Sequence, residues 1–202
     1  NESLRRVLEM KEKAGLFECP YGDTDAEKAK DVNLSPAHRA LARKAAVRSA
    51  VLLKNGGVLP LSADRPFALA GPFAEEKNIL GSWACHGRPE EAVSVKEGLE
   101  TALGRKLVSA KGCEGDILAA DESGIPAAME AVKGFKTIVA CIGEPSASSG
   151  EGASRADIRI PAPQAALVKA LKEAGHTVAA VVFGGRPQVL SEIEPYCDAI
   201  LY

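Results

Sequence analysis

Apolar residues recur along the chain in a pattern that predicts helices at its start. In residues 2–16, Leu4, Val7 and Leu8 fall on one helical face, and Gly15 is a typical helix terminator. Residues 17–34 show no such periodicity and are predicted to form an irregular linker. The dipeptide Ser35-Pro36 then offers an N-cap and a first helical residue, which predicts a helix to about Lys54.

From Phe67 onward, short apolar runs alternate with helix-like segments. Predicted strands cover residues 67–70, 106–110, 137–142, 177–183 and 199–202, and predicted helices lie near 75–80, 94–103, 125–133, 162–174 and 188–195. Several strands are continuous apolar runs, which is typical of parallel strands covered by helices on both faces. The pattern therefore predicts a flavodoxin-like, three-layer α/β/α sandwich with a mostly parallel sheet. Because the last predicted strand reaches the final residue, we expect the sandwich to be truncated at its C-terminus.

Composition narrows the possible functions. The chain has 202 residues, of which 46% are hydrophobic, and a net charge of −2. That charge argues against a nucleic-acid partner or a basic membrane-binding surface, and no apolar run approaches the roughly 20 residues of a spanning helix. The five cysteines and three histidines are scattered without metal-ligand spacing, so neither a metal nor a cofactor is predicted.

Two common uses of such a sheet find no support in the motifs. The turns Gly71-Pro72 and Gly184-Gly185-Arg186-Pro187 do not extend to GxGxxG or GxxxxGK[ST], and proline stands where a phosphate-binding helix amide would be needed. The GxSxG motif of many serine hydrolases is absent as well.

The most informative segment is the loop from residue 143 to residue 157, between a predicted strand and a predicted helix. It is far longer than the roughly two to six residues that usually make this connection. Among small residues it carries Glu144, Glu151, Arg155 and Asp157, at the end of a strand where open α/β sheets bind ligands. A loop glutamate can act as a general acid, although most such residues are solvated charges.

The only tryptophan, Trp83, lies in a loop-like segment. A loop tryptophan can provide a flat platform for a sugar ring, and it can equally fill a domain or interdomain core. The residues by themselves leave both interpretations open.

Several segments together resemble glycoside hydrolase family 3, in the same order along the chain. They are 39–55 with Leu59-Pro60-Leu61, Gly81-Ser82-Trp83, Gly143-Glu144, 155–161 with Gln164, Gly185-Arg186-Pro187 and 198–201. Residues 2–17 are similar to the end of that family's first domain, so the resemblance covers nearly the whole chain. It is strongest to the bacterial β-glucosidase branch.

The resemblance implies a retaining β-glycosidase whose active site is divided between two domains. An N-terminal barrel would supply the nucleophile, and the sandwich would supply the acid/base residue from a loop. On this basis Glu151 is the expected acid/base residue, and Glu144 is the runner-up, with a loop-supporting role preferred for it. Trp83, Arg155 and Asp157 are expected to bind substrate, or the latter two to form an exposed ion pair that orients the loop.

The resemblance also implies a domain organisation. Residues 1–34 are expected to be the end of the barrel domain and a linker, and residues 35–202 an incomplete sandwich domain. The expected partners are a carbohydrate substrate and the missing barrel. With only one of the two carboxyl groups that a retaining glycosidase needs, the chain alone is expected to be inactive.

Three questions stay open at this level. The full-length protein is expected to be periplasmic or secreted, and its export signal is not determined. The sugar, whether glucoside, xyloside, N-acetylglucosaminide or β-glucan, is not determined. The alternative function is a non-catalytic flavodoxin-like binding or interaction module in which Glu151 is an ordinary surface charge.

Overall fold

The computed structural model describes residues 1–22 and 25–202, which divide into two compact units, Asn1–Ala50 and Val51–Tyr202. The first unit contains three helices, α1 (Glu2–Lys13), α2 (Ala26–Val32) and α3 (Pro36–Ser49). Helix α2 lies inside the segment that was predicted to be irregular. Its start is explained by Asp25, whose side chain accepts hydrogen bonds from the backbone N–H groups of Glu27 and Lys28. Positions 23 and 24 of the predicted linker lie outside the described residues.

The prediction that the third helix continues to about Lys54 is wrong. The helix ends at Ser49, Ala50 is extended, and Leu52–Asn55 forms strand β1. The backbone N–H groups of Val51 and Tyr202 each donate to the other residue's carbonyl at 2.8 Å. Pairing with a strand that is distant in sequence therefore overrides the local helical pattern.

The second unit is built on a six-stranded sheet. Its other strands are β2 (Phe67–Ala70), β3 (Ser109–Ala110), β4 (Thr137–Gly143), β5 (Thr177–Phe183) and β6 (Ala199–Leu201). Its helices are α4 (Val95–Leu103), α5 (Ile125–Val132) and α6 (Ala162–Glu173). The strand order is β1-β6-β5-β4-β2-β3, and only β1 runs antiparallel to its neighbour.

Alternate residues of the central strands face two separate cores, one on each side of the sheet. On one side Ile138 and Ala140 pack with residues of α5 and α6. On the other side Val139 and Cys141 pack with residues of α4. Because both faces are covered, the strands need apolar residues at every position, and the predicted α/β/α sandwich with a mostly parallel sheet is confirmed.

Three local predictions differ from the structure. The strand predicted at 106–110 is reduced to two residues, and the helix predicted at 188–195 is reduced to a 3-10 turn at Glu194–Tyr196. The helix predicted near 75–80 is irregular chain. There the side chain of Glu76 accepts a hydrogen bond from the Asn78 N–H at 2.6 Å, a local bond that competes with helix formation.

The order of the strands places a topological switch between β2 and β4. The chain moves from β2 outward to β3 and then crosses back over β2 to β4. Open α/β sheets bind ligands at the carboxyl ends of their strands near such a switch. The loops that follow β2, β4 and β5 meet at this edge. Among the described residues, no helix is both long and apolar enough to cross a bilayer.

Candidate functional site

The loop that follows β4 begins at a residue that must be glycine. Gly143 has φ +136°, and a β-carbon there would lie 1.9 Å from the Phe183 carbonyl oxygen. The fully buried side chain of Gln164, on α6, donates to the Gly143 carbonyl at 3.0 Å and accepts from its N–H at 2.7 Å. The amide of Glu144 then donates to the Phe183 carbonyl at 2.9 Å. The start of the loop is therefore held from both the helix and the neighbouring strand.

Glu144 is sealed inside this edge of the sheet. Its side chain has 0% exposure, and its two carboxylate oxygens contact Arg155 Nη1 at 2.5 Å and Arg186 Nε at 3.2 Å. Two guanidinium groups stabilise the negative charge that burial would otherwise penalise. With both oxygens occupied and no exposed surface, Glu144 has no face to offer a substrate.

The expected exposed ion pair between Arg155 and Asp157 is not the arrangement found. Arg155 points inward, with its side chain 8% exposed, and binds Glu144 and the Arg159 carbonyl oxygen. Asp157 points outward and pairs with Arg159, whose Nη2 lies 2.6 Å from Oδ2. Hydrogen bonds from the side chain and the backbone N–H of Arg159 hold the pKa of Asp157 well below its usual range. The inward turn of Arg155 follows from the need to neutralise a buried carboxylate.

Glu151 has the opposite environment. It is exposed, in a turn between Gly150 and Gly152, both of which have positive φ. It borders a cavity of about 500 Å³ that is formed by the loop itself and by residues 78–87. The carboxylate is therefore accessible at the surface of the unit.

Trp83 lies beside the same turn. A β-carbon added to Gly150 would lie 2.4 Å from Ser82 Oγ and 3.4 Å from Trp83 Nε1. Trp83 is 66% exposed, so it does not fill the core of this unit. Although Trp83 and Glu151 are far apart in sequence, the fold brings their loops into contact.

Other cavities lie at both edges of the sheet. One, of about 600 Å³, lies at the switch between the loops after β2, β3 and β4, next to residues 145–154. Another, of about 660 Å³, lies at the opposite edge of the sheet, around Arg65, Lys136 and the first residues of β4 and β5. That cavity is remote from the loop carboxylates, and ligands of open sheets bind at the carboxyl edge, so we assign the candidate site to the edge that carries Glu151.

Two residues of this site were recognised in the sequence only as parts of resembling segments. Arg186 follows β5, and its guanidinium joins Glu144 to the Ser148 carbonyl oxygen. Gln164 braces Gly143 from α6. A signal for Arg186 was its place just after a strand at the ligand edge, but its partner is 42 residues away in sequence.

Other chemistry finds little support here. Burial raises the pKa of Cys141 and of Cys197 to about 12 and that of Cys113 to about 11, so these thiols are poor nucleophiles at neutral pH. In residues 1–22 and 25–202, no group of three His, Cys, Asp or Glu side chains is arranged to hold a metal ion.

Comparison with known proteins agrees with the resemblance. The sequence profile described as the glycosyl hydrolase family 3 C-terminal domain matches residues 50–202. The whole chain is 34% identical to a periplasmic beta-glucosidase of Salmonella typhimurium, and 32% identical to a beta-xylosidase of Formosa agariphila. It spans 30% and 29% of those two proteins. The crystal structure of a beta-glucosidase from Listeria innocua superposes with a TM-score of 0.85 and 35% identity, over 98% of this chain and 27% of that one.

Proposed function

This chain belongs to glycoside hydrolase family 3, and we propose that within a longer protein it supplies the acid/base residue of a retaining β-glycosidase. The observation that carries the proposal is the contrast between the two loop glutamates. Glu151 is exposed beside a cavity and Trp83, whereas Glu144 is buried between two arginines. Only Glu151 is free to meet a substrate presented by another domain.

The proposed mechanism needs one more carboxylate. A nucleophile from a preceding barrel attacks the anomeric carbon while the protonated Glu151 donates its proton to the departing glycosidic oxygen. A glycosyl ester forms, and the aglycone alcohol leaves. The Glu151 carboxylate then takes a proton from water, whose oxygen attacks the same carbon and releases the sugar and the nucleophile. Retention requires the two carboxyl groups to lie about 5–5.5 Å apart.

We further propose that the indole ring of Trp83 packs against the sugar ring and that Asp157, on the outer surface of the loop, also binds substrate. Arg155 supports the loop and does not touch substrate, since its side chain is almost fully buried against Glu144. The substrate class is a terminal β-linked sugar. A glucoside is favoured by the Salmonella and Listeria relatives, and a xyloside is the alternative that the Formosa relative supports.

The place of the chain in the longer protein is also a proposal. Residues 1–34 would end the barrel domain and link it to the sandwich. The protein would act in the periplasm or outside the cell, as the name of the Salmonella relative supports.

The acid/base role is tested by Glu151→Gln in the full-length protein. General acid catalysis typically contributes about 10²–10⁴-fold, and only poor leaving groups need the proton. We expect kcat/KM on phenyl β-glucoside to fall by about that factor, with little change in the glycosylation step on 2,4-dinitrophenyl β-glucoside. Azide, which needs no general base, should accelerate turnover of the dinitrophenyl substrate.

The matched control is Glu130→Gln, an exposed carboxylate of α5 that pairs with Lys133. It should leave both rates unchanged. Equal rates for wild type and Glu151→Gln on both substrates would remove the acid/base role from Glu151 and favour a non-catalytic binding module.

A further inference from the structure

The loop that carries Glu151 is closed at its base by a cluster of three side chains, Glu144, Arg155 and Arg186, which we call the latch. The three residues come from the start of the loop, from its far end, and from the separate loop after β5. The carboxylate of Glu144 joins them, with Arg155 on one oxygen at 2.5 Å and Arg186 on the other at 3.2 Å. The side chains of Arg155 and Arg186 are 8% and 24% exposed.

Each arginine of the latch also binds a backbone carbonyl of this loop or of the segment that follows it. Arg155 Nη2 donates to the Arg159 carbonyl oxygen at 2.5 Å, after the loop has turned back toward α6. Arg186 Nη2 donates to the Ser148 carbonyl oxygen, three residues before Glu151. Ser148 is itself buried. The latch therefore fixes both the base of the loop and the segment that leads directly to the exposed glutamate.

The two arginines are not equivalent. Arg155 closes the loop on itself, since it lies in the same loop as Glu144. Arg186 reaches the loop from β5, so it sets the position of Ser148 relative to the rigid sheet. Removing Arg186 leaves the shorter Glu144–Arg155 contact in place. A change at Arg186 is therefore expected to move the loop while the fold persists.

We propose that Arg186 is a positioning residue of this glycosidase, which holds Glu151 at its working distance through Ser148 and the latch. The inference rests on the proposed acid/base role of Glu151. A misplacement of about 1 Å can cost on the order of 10²-fold in rate, because proton transfer requires hydrogen-bond distance to the leaving oxygen. The position of Glu151, and therefore Arg186, does not affect the rate of bond cleavage when the leaving group departs without a proton.

The test is Arg186→Met in the full-length enzyme, with Arg65→Met, an exposed arginine at the opposite edge of the sheet, as the control. We expect kcat/KM on phenyl β-glucoside to fall by about 10–100-fold, with a change under about threefold on 2,4-dinitrophenyl β-glucoside. Arg186→Lys should recover part of the loss, because one ammonium can reach only one of the two partners. Arg65→Met should change neither rate.

A double variant separates positioning from a merely structural role. If Arg186 acts through Glu151, Arg186→Met adds no further loss on the phenyl substrate in the Glu151→Gln background. Additive losses, equal losses on both substrates, or failure of both Arg186 variants to fold would overturn the inference. Leaving-group selectivity for Glu151→Gln without selectivity for Arg186→Met would overturn this inference alone. Absence of selectivity for Glu151→Gln would overturn the proposed function itself.

Discussion

The loop after β4 contains two glutamates, and their surroundings give them opposite exposure to solvent. Glu144 and Glu151 lie seven positions apart in a segment of small residues. Glu144 is enclosed by arginines from two loops, while Glu151 is exposed between two glycines. The position of Glu144 directly after a strand suggested a supporting role for it. Its contact with Arg186, which is 42 residues away in sequence, is seen only in the folded structure.

The lowered pKa of Asp198 can be tested through its effect on the stability of the folded protein. Burial opposes its ionisation, but hydrogen bonds from Lys172 at 2.7 Å and from the Val178 N–H at 2.8 Å outweigh that effect, and the pKa of Asp198 is lowered. A carboxyl group with a lowered pKa in the folded state stabilises the protein above its unfolded-state pKa, and this contribution is lost as the pH falls. Asp198→Asn should therefore reduce the stability of the full-length protein by about 1 kcal/mol at neutral pH, after allowance for partial exposure.

Thermal unfolding at pH 7, 5 and 3.5 measures this effect. The difference in Tm between wild type and Asp198→Asn should be similar at pH 7 and 5 and smaller at 3.5, because the Asp198 carboxyl of the unfolded chain, with an ordinary pKa of about 3.9, takes up a proton there before that of the folded protein. A difference in Tm that is constant across the three pH values would show that the effect of Asp198 on stability comes from the shape of its side chain and not from its charge.

At the scale of elements, the loops after β4 and β5 and the segment around Trp83 form one packed assembly. Glycines allow the close approaches. A β-carbon at Gly185 would lie 2.1 Å from Ser149 Oγ, and one at Gly150 would lie 2.4 Å from Ser82 Oγ. The turn that presents Glu151 is thus enclosed on two sides by other loops.

The glycines on either side of Glu151 give a matched pair of variants. Gly150→Ala adds both a strained backbone, at φ +103°, and a clash with Ser82, whereas Gly152→Ala adds strain at φ +74° with nothing within 4 Å. Each should cost about 1–2 kcal/mol of stability through strain. In the full-length protein, we expect Gly150→Ala to lose more activity on phenyl β-glucoside than Gly152→Ala, because only the change at Gly150 moves the loop.

Ser82→Gly in the Gly150→Ala background checks the cause. Removing the Ser82 side chain relieves the clash, so it should restore much of the activity. The backbone strain at residue 150 would remain. Equal losses for the two alanine variants, or no recovery with Ser82→Gly, would show that contact with the Trp83 segment does not position the turn.

For the molecule as a whole, the chain corresponds to only part of the length of its relatives. It spans about 30% of the Salmonella beta-glucosidase and 27% of the Listeria beta-glucosidase chain. Of the two exposed carboxylates in the loop, Glu151 borders a cavity open to solvent and Asp157 is paired with Arg159. A retaining glycosidase needs a second carboxyl group at a fixed distance on the other side of the sugar.

We therefore expect the purified 202-residue chain to show no turnover of 4-nitrophenyl β-glucoside. The physical reason is that glycosyl transfer to the enzyme requires the nucleophile that a barrel would supply. The measurement compares release of 4-nitrophenol by the chain and by the full-length protein at equal concentration. Turnover by the chain alone, retained through repurification, would show that both carboxyl groups lie within it.

The layered fold could be predicted from the residue pattern, since continuous apolar strands separated by amphipathic helices have few other ways to bury their surfaces. The sequence also identified the loop that carries Glu151, because length, charge and position after a strand are local properties. Tertiary structure alone decided that residues 52–55 form a strand, that Arg155 turns inward, and that Arg186 and Trp83 join the loop from elsewhere. Each of these outcomes depends on partners distant in the chain, where the cost of an unpaired strand edge or a buried charge outweighs local preference.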